Sequence, residues 1–135
     1  MKRVLQAAAA YVLIVFAAGF ALGVVRTLWL APRLGAPAAV AIELPVILAV
    51  SWFACARVLR RWTPTRLEAL AVGAVAFVLL IGAELGLSVG LAGRSVAEHW
   101  ALYREPSHQL GLMGQVLFAG WPYVQSRRGR ARLAA

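Results

Sequence analysis

The chain of 135 residues is 62% hydrophobic and 14% charged, with a mean hydropathy of +0.78. Soluble domains lie near half apolar and a quarter charged, so composition excludes an ordinary water-soluble globule and points to a membrane protein. The formal charge of +9 comes from thirteen arginines and one lysine that mostly flank apolar blocks, where they act as topology determinants; no basic face with interleaved aromatics is present, and nucleic acid is not an expected partner.

The first apolar block runs from about residue 4 to 25, behind Lys2 and Arg3. Its length exceeds the usual 7–15-residue core of a secretory signal and no clear A-x-A site closes it, so it reads as a retained helix. Gly19 and Gly23 near its end form a G-x-x-x-G pair. Arg26 and Arg33 follow, in what reads as a loop.

The second block spans about 38–56 and stops at Arg57, Arg60 and Arg61. It contains Glu43 and, two residues on, Pro45, whose ring pushes on the carbonyl of Ala41 and whose missing N–H leaves that carbonyl free. Cys55, the single cysteine, excludes an intrachain disulfide and reads as a small packing residue. The stretch Thr63-Pro64-Thr65-Arg66-Leu67-Glu68 then offers a hydroxyl cap, a first-turn proline and an acid at a positive helix end, the start of a third block over about 67–89.

That third block holds Glu84 and a glycine ridge at Gly82, Gly86 and Gly90. Both ridges predict tight helix crossings in the same half of a bundle, within one chain or between chains. Residues 94–105 predict a short helix lying in the interface, with Val96, Trp100 and Tyr103 on its apolar side, ended by Pro106. The fourth block, about 107–124, carries Gln109, Gln115 and Pro122 and is the weakest; a re-entrant segment is its alternative. A basic tail over 126–135 reads as solvated and touching anionic headgroups.

The expected fold is therefore all-α: a single domain of four membrane helices in a compact bundle. With four spans, one side carries Lys2, Arg3, Arg57, Arg60, Arg61, Arg66, Arg127, Arg128, Arg130 and Arg132, and the other only Arg26, Arg33, Arg94 and Arg104. The positive-inside rule puts both termini in the cytoplasm. Trp62, Trp121 and Tyr123 fall at the inner boundary, and Trp29, Trp100 and Tyr103 at the outer one, as aromatic belts.

Glu43 and Glu84 are the only acids well inside apolar blocks, each about five residues, or ~8 Å, below the same predicted outer surface. Charges at such depth find partners or titrate. Arg26 and Arg33 lie above them and Gln115 enters beside them. One outcome is a closed Arg–Glu network locking the outer loops; the other is a carboxylate free to bind a proton, a cation or a solute. The freed Ala41 carbonyl adds a possible cation or water ligand.

Enzymatic chemistry lacks its parts. No serine has a histidine base inside a span, no Gly-rich loop joins strand to helix, and Glu98, His99, Glu105 and His108 match no closed zinc spacing. His99 and His108 share one outer loop and do not form a haem pair across two spans. No cofactor or metal is expected.

The order GFALGVVR (Gly19 to Arg26), APRLG (Ala31 to Gly35) and ELP (Glu43 to Pro45) resembles an uncharacterised family of small bacterial four-helix integral membrane proteins. The likeness covers the first two blocks and loosely the remainder, including the glutamate of the third. It implies a bacterial inner-membrane location and carries no activity. The leading expectation is a non-enzymatic accessory, scaffold or assembly protein that contacts lipid and either itself or another membrane protein. The alternative is a small oligomeric transporter or channel for protons, cations or a small solute, using Glu43 and Glu84.

Overall fold

A computed structural model describes residues 1–62 and 64–133, with side chains as far as Arg127. All regular structure among them is helical. Helix α1 (Lys2–Val25) continues through a π-helical turn (Arg26–Leu30) into α2 (Ala31–Leu34); after Gly35 come α3 (Ala36–Leu59), α4 (Arg66–Gly90), the short α5 (Val96–Ala101) with a 3-10 turn (Leu102–Arg104), and α6 (Pro106–Leu133). Three helical stretches, Lys2–Leu34, Ala36–Leu59 and Arg66–Gly90, are long and apolar enough to cross a membrane. The chain is thus a helical membrane protein, and α6 packs with these three without meeting the same standard of hydropathy.

Helix α1 packs on α3 and α4, and α6 packs on the same two, so the long helices follow one another around the bundle as α1, α3, α6, α4. Contacts such as Leu44 with Gly114 and Trp52 with Gln125 run α3 and α6 in the same direction, antiparallel to α1. The start of α1, the end of α6 and the turn after Leu59 therefore share one end, and Gly35 and α5 share the other.

Two sequence expectations change here. The loop drawn over residues 26–37 is almost entirely helix, and only Gly35 interrupts it, at a φ of 81° that strains any residue with a side chain. Arg26 does not end the helix, because its guanidinium turns inward and finds a carboxylate. At the start of α4, Thr65 is the cap: its Oγ1 accepts from the Glu68 N–H at 3.2 Å, and Glu68 Oε2 accepts from the Thr65 N–H at 2.8 Å. Pro64 precedes this reciprocal box instead of sitting in the first helical turn.

The half of the bundle holding the termini is close-packed. Val4, Ala8, Tyr11 and Val15 of α1 meet Ala54 and Cys55 of α3, Val72 and Ala76 of α4, and Phe118 of α6. At Gly73 the α4 backbone lies against the Ala119 carbonyl of α6, where a Cβ would collide with it. Gly114 of α6 likewise takes the Leu44 side chain. Within the chain the tight crossings are these, and not the G-x-x-x-G ridges. Gly82, Gly86 and Gly90 have nothing within 4 Å of where a Cβ would stand, and Gly19 and Gly23 meet only side-chain ends at 3.7 Å.

Helix α6 carries Pro122 fully buried in its middle. A proline at this position deprives the carbonyl four residues earlier, that of Phe118, of its helical donor. The Tyr11 hydroxyl donates to that carbonyl at 2.9 Å, and the two rings stack with centroids 4.3 Å apart. A diagonal contact between α1 and α6 thereby repairs a break in the helix ladder.

Candidate functional site

Beyond the Tyr11–Phe118 contact the bundle opens. A cavity of about 780 Å³ fills the half nearer Gly35, with Val15, Ser51, Leu80 and Phe118 at its deeper end. Arg26, Glu43, Glu84 and Gln115 all line it. Four of the five polar residues singled out from sequence thus meet in one place, from four different helical segments.

Arg26 Nη1 lies 3.2 Å from Glu43 Oε2, an ion pair without hydrogen-bond alignment. The same guanidinium also acts electrostatically on Glu84. Glu84 has its own donors: Gln115 Nε2 donates to Oε1 at 2.6 Å, and the Tyr103 hydroxyl is within hydrogen-bonding reach. Burial and then the neighbouring Glu84 charge push the Tyr103 phenol above its ordinary value, so it stays a protonated donor.

Arg33 is absent from this group. It stays exposed in α2 and does not line the cavity. Seven residues normally return to the same helix face, but the π-helical turn places extra chain in that interval and rotates Arg33 away. Pro45 and Ala41 both lie on the exposed side of α3, so the carbonyl freed by the proline does not contribute to the site. Gly82, Gly86 and Gly90 also face away from it.

Residues treated as loop or belt prove to belong to the cavity wall. Ser95 and Glu98 form a second reciprocal cap, with 3.2 Å and 2.6 Å hydrogen bonds, and it starts α5 across the open end of the bundle. Helix α5 buries His99 at 5% exposure and turns Tyr103 inward, while Val96 and Trp100 stay exposed. The inward face is therefore His99 and Tyr103, i and i+4, and not the apolar line of Val96, Trp100 and Tyr103. The spacing S-x-x-E was the signal for the helix; its inward face had none in the sequence.

Hydrogen-bond accounting leaves several buried atoms without partners. Both ring nitrogens of His99, Ser88 Oγ and Gln115 Oε1 are buried and bonded to nothing, and all three residues line the cavity. Native structures leave few such groups, and they concentrate where a ligand or water completes them. Among the described residues no group of three or more His, Cys, Asp or Glu side chains is arranged to hold a metal ion.

Neither a protein family, nor a curated protein, nor a solved structure matches this chain.

Proposed function

We propose that this chain is a small inner-membrane protein of four spans, with cytoplasmic termini, that binds and carries a small solute in the cavity of its outer half. The supporting observation is the cavity itself. Its 780 Å³ lies within the range of small-molecule sites, and it places a few convergent polar groups on otherwise apolar walls. A network serving only to lock the loops has no use for open volume beside it, or for buried polar atoms that bond nothing.

Reconstitution into liposomes tests the proposal. Under an imposed gradient of protons, cations or a small organic solute, the protein carries flux, and Glu84→Gln abolishes it while the variant keeps its elution volume and melting transition. Absence of flux under every gradient from a folded preparation removes the carrier function.

A second reading, an accessory or assembly role, draws on a different observation. Gly82, Gly86 and Gly90 form a small-residue stripe on α4 that none of the described residues covers. The same experiment separates the two, since an assembly protein shows no flux and loses only folded abundance in the glutamine variant.

A further inference from the structure

We infer that the cavity takes a protonated amine bearing an apolar body, with its ammonium group seated between Glu84, Gln115 and Ser88. The inference rests on the binding role proposed above and specifies the ligand.

Charge is the first argument. Two carboxyl groups, Glu43 and Glu84, face one guanidinium, that of Arg26, so the interior of the site holds one acidic side chain more than it has arginine partners. At the rim Glu105 lies 3.5 Å from His108 Nδ1, and Arg94 is exposed to the surroundings, so neither supplies a cation at the depth of Glu84. A cation is repelled by Arg26, but that guanidinium is already held by Glu43.

Hydrogen bonding is the second argument, independent of the first. Gln115 spends its N–H on Glu84, which leaves the amide oxygen beside the carboxylate with no donor. Ser88 sits one helical turn beyond Glu84 on α4, 7% exposed, with its hydroxyl unpartnered. His99 adds an unpartnered ring nitrogen acceptor from α5. The Gln115 amide oxygen only accepts, and the Ser88 hydroxyl and one His99 ring nitrogen can accept as well. A ligand that donates several N–H bonds and carries positive charge therefore answers the carboxylate and these three together, whereas an anion or a neutral acceptor leaves Gln115 Oε1 unanswered.

The walls describe the rest of the ligand. Phe16, Phe20 and Leu87 are apolar, and Tyr103 offers a ring face for cation–π contact. Inorganic cations leave such walls unused.

Equilibrium dialysis of the full chain in detergent tests this with naphthylmethylammonium, against neutral naphthylmethanol and anionic naphthoate of similar shape. The ammonium probe should bind at least about tenfold more tightly than either. Gly111→Leu should abolish its binding, because Gly111 lines the cavity and has open space at its Cβ. Glu84→Gln should weaken it by about tenfold or more. Ser88→Ala, which removes an acceptor bonded to nothing in the protein, should weaken it by about three- to tenfold with an unchanged melting transition, and remains informative if Glu84→Gln does not fold.

Equal binding of the three probes, all lost in Gly111→Leu, overturns the amine assignment and leaves the cavity a binding site. Full affinity in Ser88→Ala, or in folded Glu84→Gln, also overturns it. Binding of no probe by a protein that still carries flux overturns the ligand class without touching the carrier function.

Discussion

Tyr11 lies 107 residues from the carbonyl it serves, and its hydroxyl does what the backbone N–H at position 122 would otherwise do. Interhelical hydrogen bonds in membranes are individually modest, but a buried unsatisfied carbonyl is costly. Tyr11→Phe keeps the stacked ring and should lose about 1–2 kcal/mol in a detergent unfolding titration. Pro122→Ala in the Tyr11→Phe background returns a donor to Phe118 and should recover most of that loss; a single variant as stable as the parent would show that the carbonyl needs no partner. The proline was visible in the sequence, where it weakened the fourth block. Its remedy was not, because nothing local to residue 11 marks a tyrosine as the donor for a distant helix. The site residues divide the same way: Glu43, Glu84, Arg26 and Gln115 stood out as polar groups in apolar runs, while Tyr103 and His99 were hidden among ordinary belt and loop residues.

At the scale of elements, α5 depends on a cap that responds to pH. The Ser95 N–H and hydroxyl both bond Glu98 and hold its carboxyl below the usual range, and Glu98 is fully exposed. A carboxylate with a lowered folded pKa stabilises the fold above its unfolded value, about 4.3, and that contribution disappears as pH falls through the lower folded value. Helix α5 should therefore be ordered at neutral pH and loosen below about pH 4. A spin label at Ala97→Cys, with Cys55→Ala to leave a single thiol, should show motion rising over that range; Glu98→Ala should be mobile already at pH 7, and equal mobility of the two at pH 7 would refute the cap. The start of α4 was legible in part, since Thr65 and Glu68 lie in the stretch read as a hydroxyl cap with an acid at the helix end, while the Ser95–Glu98 box of the same spacing went unread. The helical continuation beyond α1 as far as Leu34 also went unread. Arg26 reads as a stop until Glu43, on the facing helix, gives its charge a partner, and only tertiary structure supplies that.

For the whole molecule, the proposed four-span fold rests on α6 crossing alongside the three helices that are long and apolar enough to do so. Hydropathy along α6 counts Gln115 and Gln125 as penalties, yet hydropathy ignores direction. Gln115 Nε2 donates to Glu84, Gln125 Nε2 donates to the Trp52 carbonyl at 2.8 Å, and Ser126 Oγ donates to the Tyr123 carbonyl at 2.7 Å. The Phe118 carbonyl is met by Tyr11. Outward, α6 shows Met113, Val116 and Leu117, at 60%, 58% and 45% exposure. Polar groups satisfied inside a bundle do not meet lipid, so a helix of this kind crosses at far less cost than its average composition suggests. The orientation proposed from arginine placement has Arg3, Arg57, Arg60 and Arg127 in the cytoplasm. In intact cells a membrane-impermeant maleimide should label Ala97→Cys and spare Arg60→Cys and Arg127→Cys until the membrane is permeabilised, each in a Cys55→Ala background. Labelling of Arg127→Cys together with Ala97→Cys from outside would mean that α6 returns to the face it started from. The cavity would then have only three spanning walls, and Gln115 would have no fixed place beside Glu84.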